Sequence, residues 1–272
     1  MAAVGVITLA AGTAAAASSS PWDVDSRSAV RLVAARPVVE SGVKFLRAGL
    51  EIRLQPGWKT YWRYPGDSGV PPSFNIGGSE NIKSITVLWP APERFSDGIG
   101  YSIGYRNGVL LPLRILPRDE RKPVILRLKL DYGVCDTLCV PAKANLELQL
   151  SDGDGAFESI VAAAEARVPK PAAVGSGQSL VIRSINRLLG MFGNRLLVDV
   201  ASVAPNRVDL FAEGPEKWAL PLPKPLPAPQ GGLRRFDLEL DGVPPNTRID
   251  GATLKFTAVG GNQAIEVEYR LE

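Results

Sequence analysis

Val124-Ile-Leu-Arg-Leu-Lys-Leu-Asp131 places Leu126, Leu128 and Leu130 on one face of an extended strand and Arg127, Lys129 and Asp131 on the other. A period of two residues with one polar face predicts a strand of an antiparallel sheet that is covered on one side only. Working outward, the same alternation, punctuated by turn residues, recurs at 30–35, 44–54, 59–64, 82–89, 108–115 and 142–150. About seven short strands of this kind predict an immunoglobulin-like β-sandwich.

The run 156–168 reads as a helix, with Phe157, Ile160, Val161 and Ala164 on one stripe and Asp152 or Asp154 near its N-terminus. Pro169-Lys-Pro-Ala-Ala-Val-Gly-Ser-Gly177 follows, and its composition favours an extended connector over a packed element. Alternation resumes at 180–186, 196–201, 207–211, 233–240, 252–259 and 264–271. The fold class expected is therefore all-β: two immunoglobulin-like sandwich domains joined by a short helix and linker, at 22–168 and 178–272. Inside the second, Pro221, Pro223, Pro225, Pro227 and Pro229 alternate, which implies a stiff extended loop between strands.

Immediately after the opening strand comes Tyr132-Gly-Val-Cys135-Asp-Thr-Leu-Cys139-Val-Pro141, which holds both cysteines of the 272-residue chain. Residues flanking a three-residue hairpin loop can face each other at a separation that suits a disulfide. So small a loop stabilises little, roughly 2 kcal/mol against about 4.7 for a hundred-residue loop. Two readings stay open, a structural hairpin clip and a redox-active couple. Val140-Pro141 argues against a helix start, so no helix dipole lowers a thiol pKa here. The nearest charges in sequence are Asp131 and Asp136, opposed by Lys143. Such a couple suits a relay in which a partner's thiolate attacks the bridge first.

The chain contains no histidine, which removes the usual general base and every Ser-His or Cys-His arrangement. Two cysteines make a poor zinc site, and no metal or organic cofactor is expected. Net charge is +3, with Lys and Arg scattered among carboxylates, so nothing suggests nucleic-acid capture. From Met1 to Pro21 there is no charge, and the small apolar run ends in Ala14-Ala-Ala-Ala-Ser18. This reads as a signal peptide at 1–17, and it places the mature protein in an oxidising compartment. Trp58, Trp62 and Trp89 are candidates for either the core or a partner surface.

Pro56-Gly-Trp-Lys-Thr-Tyr-Trp-Arg63, Pro65-Gly-Asp-Ser-Gly69, Trp89-Pro-Ala-Pro-Glu-Arg-Phe95, Gly104-Tyr105, Leu111-Pro112 and the cysteine motif together resemble the N-terminal periplasmic domain of the DsbD thiol:disulfide interchange family, most closely its ScsB-like (suppressor of copper sensitivity) branch. The resemblance covers 31–150, and a looser match, Asp209-Leu-Phe-Ala-Glu-Gly-Pro215, extends it to the extra β-domain of that branch. It implies a protein-disulfide reductase component in which Cys135 and Cys139 take electrons from a membrane-embedded electron-transfer protein or thioredoxin-like domain and pass them to periplasmic disulfide-containing proteins. Either cysteine would form the mixed disulfide. A cap loop at 94–101 would shield the couple, with Phe95, Asp97, Gly98, Tyr101 and Tyr61 as cap or site lining. Gly98 stands where the family has its capping Phe, so either Phe95 or Tyr101 would take that role from a shifted loop, or the couple would be less shielded.

The cysteines here are three residues apart where DsbD has five, and no stretch resembles the membrane or thioredoxin-like domains of longer members. The chain is therefore expected to work with partners in trans, to be a fragment, or to have lost the relay. The rival reading is a non-catalytic binding or adaptor module with an inert disulfide. Copper handling follows from the branch name alone, since two thiols with Met1 and Met191 are a thin Cu(I) ligand set.

Overall fold

The computed structural model describes residues 17–66, 69–96, 100–150, 155–190, 193–227 and 232–272, so almost all of the expected leader lies outside them. The first half carries β1 (Asp23–Val24), β2 (Ser28–Glu40), β3 (Val43–Leu54), β4 (Lys59–Gly66), β5 (Ser73–Asn75), β6 (Ile82–Val87), β7 (Glu93–Ser96), β8 (Tyr101–Arg106), β9 (Gly108–Pro117), β10 (Val124–Cys135) and β11 (Cys139–Leu150). One sheet runs β1-β2-β3-β9-β6 and the other β11-β10-β4-β8-β7, with β5 added to β10. Leu126, Leu128 and Leu130 point into the core between the sheets, as their alternation requires, alongside Leu32, Leu50, Ile103 and Ile115. Each such side chain contributes roughly 1.5–3 kcal/mol by leaving water.

Every strand read from alternation is present; β1, β5, β7 and β8 are additions. The first three are short, and β8, six residues in which Tyr101, Ile103 and Tyr105 alternate with Ser102, Gly104 and Arg106, is buried at its four central residues. Trp62 is fully buried, while Trp58 and Trp89 pack half-buried against the same core, so these rings serve packing.

Beyond the first sandwich come α1 (Glu158–Ala166), β12 (Lys170–Pro171), β13 (Leu180–Gly190), β14 (Gly193–Ser202), β15 (Val208–Glu213), β16 (Lys224–Pro225), β17 (Leu233–Glu239), β18 (Thr253–Gly260) and β19 (Gln263–Arg270). Their sheets, β12-β19-β18-β15 and β13-β14-β17-β16, enclose a second core that includes Val198, Leu210, Phe236, Leu254 and Phe256. The fold is thus all-β and immunoglobulin-like. Among the described residues no helix is long and apolar enough to cross a membrane.

Three local expectations are refined. Helix α1 is shorter than 156–168, its N-cap is Phe157 without a side-chain cap, and Ile160 turns outward while Val161 and Ala164 are buried. Asp152 and Asp154 lie outside the described residues. The connector is partly packed: Lys170 and Pro171 pair in parallel with β19, and the Ala172 amide donates to the Glu266 carbonyl. An extended, proline-bearing segment suits a sheet edge, where a missing N–H costs nothing. Of the alternating prolines, Pro225 likewise lies in an edge strand, the two-residue β16, beside which Leu226 keeps its amide and donates to the Arg235 carbonyl.

The two halves meet along β4 and β7. Arg63 reaches Glu213 at 2.6 Å and also contacts Glu266, while Arg94 grips Asp209 through two nitrogens. Burial opposes the charge on Arg63, yet the hydrogen bond to Glu213 and the fields of both carboxylates hold its pKa above the ordinary value. The Tyr64 hydroxyl donates to the Leu220 carbonyl, and the Trp62 and Phe211 rings lie 5.9 Å apart.

Helix α1 is tied to the first sandwich by buried Arg47, which bonds Glu158 and Glu165, each at 2.6 Å. The Arg47 hydrogen bond pulls the Glu158 carboxyl below its usual range, against a smaller effect of burial. A depressed carboxylate pKa adds stability above the unfolded value and loses it as pH falls through the folded one. Arg47→Met should therefore cost about 2 kcal/mol at neutral pH and flatten the acid limb of the stability curve, measured by urea unfolding across a pH series.

Candidate functional site

Strands β10 and β11 pair without interruption up to Cys135 opposite Cys139, where the disulfide joins them with Cα atoms 4.1 Å apart. Residues 124, 126 and onward through Val134 face the core, so Cys135, like Asp131 and Gly133, projects from the other face of the sheet. The bridge is asymmetric: Cys135 is 3% exposed, whereas Cys139 and the loop residues Asp136, Thr137 and Leu138 are exposed.

Tyr61 is two residues along β4 from Lys59, the cross-strand partner of Cys135. Its hydroxyl lies 2.9 Å from both sulfurs. A disulfide sulfur carries no proton, so the phenol is the donor in both contacts. The ring fits because Gly133 has no side chain; a Cβ there would sit 2.8 Å from it. Nearby, the Thr60 hydroxyl donates to the Gly133 carbonyl, and a Cβ on Gly104 would meet the Thr60 carbonyl oxygen at 1.9 Å. Gly104 thus lets β8 approach β4 closely. Tyr105 and Tyr132 brace the region from the core side through bonds to the Pro90 carbonyl and the Ser28 hydroxyl.

Charge near the couple differs from the order of charges along the chain. Asp131 and Lys143 pair with each other at 3.0 Å. The register instead sets Lys59 beside Cys135 and Arg106 beside Lys59, so Cys139, Cys135, Lys59 and Arg106 form one row across four strands on one face. Two cations on the face that carries the sulfurs favour a thiolate there. Sequence reasoning missed both, because strand order alone brings them to the cysteines.

Phe95, projecting from the same face, is buried between these cations, 5.2 Å from the Lys59 nitrogen and 4.8 Å from the Arg106 guanidinium. Tyr101, the other aromatic candidate, is exposed and stacks on Arg94, away from that row. Asp97 and Gly98 lie outside the described residues; the described part of the segment expected as a cap loop falls on strands β7 and β8, which pair antiparallel. Beside Cys139 opens a cavity of about 290 Å3 lined by Tyr61, Val70, Pro71, Tyr132 and Pro141 among others. Val70 and Leu138, both largely exposed, add apolar surface around the sulfur. Among the described residues no group of three or more His, Cys, Asp or Glu side chains is placed to hold a metal.

Residues 30–151 match the family model described as "Thiol:disulfide interchange protein DsbD, N-terminal". The whole fold is similar to the solved N-terminal periplasmic domain of ScsB from Proteus mirabilis, with a TM-score of 0.72 and 20% identity over 93% of this chain and 98% of that one. Among curated proteins, none matches the chain.

After reduction the two thiols should differ in reactivity as they differ in exposure. Brief alkylation followed by peptide mass spectrometry should label Cys139 ahead of Cys135, by about tenfold or more. Equal labelling would show that the reduced hairpin opens to expose both.

Proposed function

We propose, from the match of residues 30–151 to the family model of the DsbD N-terminal domain, that this chain is a periplasmic thiol:disulfide interchange protein whose Cys135–Cys139 bridge opens and recloses as it relays electrons. The observation that carries the reading is the asymmetric bridge, with Cys139 exposed, Cys135 buried, and a phenol donor against both sulfurs. A bridge closing so short a loop is a weak staple, which favours exchange over a structural role.

In the proposed cycle a partner's thiolate attacks the Cys139 sulfur, the bridge breaks, and Cys135 leaves as a thiolate. The Tyr61 hydroxyl is placed to donate to that leaving group, and Lys59 and Arg106 lie on its side of the sheet. The partner's second thiolate then attacks the partner's own sulfur in the mixed disulfide. Cys139 is released, so two electrons have entered the pair and the partner is left oxidised. Onward transfer reverses these roles: the Cys139 thiolate attacks a substrate disulfide, and Cys135 resolves the intermediate and restores the bridge.

The donor in this scheme is a membrane-embedded electron-transfer protein or a thioredoxin-like domain in trans, and the acceptors are periplasmic disulfide-containing proteins. The leader at 1–17, with units at 22–168 and 178–272, belongs to the same reading. Phe95 is the proposed capping aromatic, since it lies on the sulfur-bearing face next to Lys59.

Trapping in the native compartment tests the scheme. Cys135→Ala leaves the exposed thiol and should accumulate a mixed disulfide with a specific partner, whereas Cys139→Ala should capture little. If neither variant retains a partner, the bridge is inert and the chain is an adaptor module.

Tyr61→Phe should slow reduction of the bridge by a thioredoxin-like protein about tenfold, the worth of one hydrogen bond to a charged group, with the fold unchanged. An unchanged rate would remove the phenol from the mechanism.

A further inference from the structure

A cleft of about 650 Å3 opens where the two halves meet, lined by Arg94 and Tyr101 from the first and by Arg207, Lys224, Arg234 and Phe236 from the second. Its remaining described lining is apolar apart from Asp209. Four cations thus face one carboxylate, and that carboxylate is already gripped by Arg94 through two nitrogens. Lys224 leans on Glu239 at 3.4 Å. Arg207 and Arg234 have no acidic partner among the described residues. The Arg234 Nε is buried without any acceptor, while its guanidinium stands 6.0 Å from the Phe236 ring centroid.

A buried guanidinium N–H without an acceptor is costly, and an acceptor supplied from outside would relieve it. The two unpaired arginines come from different elements, the turn Pro205–Arg207 and strand β17, with proline, leucine and aromatic surface in the same cleft. A single small anion would neutralise one charge and leave that surface in water. An extended chain alternating carboxylates with apolar side chains satisfies both features.

We propose that this cleft binds an acidic, apolar-interrupted segment of another polypeptide. The site is separate from the disulfide and does not depend on thiol exchange.

The test uses the full chain and a short fluorescent peptide of alternating glutamate and leucine, followed by anisotropy. Saturable binding is expected. Arg207→Ala and Arg234→Gln should each weaken it about tenfold while the melting temperature and the reduction rate of the bridge stay as in the parent protein. Added sodium chloride should weaken binding through screening, and the lysine-for-glutamate peptide should not bind. Three results would overturn the proposal: no saturable binding, binding by both variants as tight as by the parent protein, or displacement of the peptide by inorganic phosphate at an ionic strength where sodium chloride has no such effect.

Discussion

Twelve consecutive cross-strand pairs, from Val124 opposite Leu150 to Cys135 opposite Cys139, hold both sulfurs on the outward face of a sheet whose inner face is the core. Because the side-chain period is two, a slip of one residue would turn the cysteines inward and set Arg127, Lys129 and Asp131 against the opposite sheet. The leucines of β10 and β11 that fill the core therefore fix where the chemistry sits. The same register brings Tyr61, Lys59 and Arg106 beside the bridge, so packing energy on one face sets the electrostatics of the other.

The second sandwich is not a loosely tethered appendage. Arg63 leaves β4 two residues after Tyr61 and ends in a pair of carboxylates from β15 and β19, while Phe211 joins the first core beside Trp62. Strand β4 thus carries the phenol at the bridge and the arginine at the junction within three residues. A charge pair removed from water on one side only is strongly destabilising, so this contact holds the halves in a defined relation. The cleft beside it follows from that relation: it exists because the two sandwiches meet and leave arginines from each around an apolar floor.

Alternation made much of the sandwich legible. Val124 to Asp131 needs only its own pattern to reveal which face is covered, and that parity also sends Cys135 outward. Strand β8 went unread although Tyr101, Ile103 and Tyr105 alternate with Ser102, Gly104 and Arg106, because the run is only six residues long and begins inside the segment assigned to the cap loop. The site divides in the same way. The cysteine pair and Tyr61 stand out in the sequence, whereas Lys59 and Arg106 acquire a role only through strand order β10-β4-β8. Asp131 and Lys143, which flank the cysteine motif on either side, pair with each other across the hairpin. The proline run looked incapable of pairing until the amides of its intervening residues were placed on a sheet edge.

The central claim is that the bridge between Cys135 and Cys139 works by opening. Its equilibrium reduction potential, measured against a defined thiol–disulfide buffer, tests this most directly. A value near about −200 mV is predicted, within reach of periplasmic exchange partners. A value below about −300 mV would mark a structural staple and contradict the account.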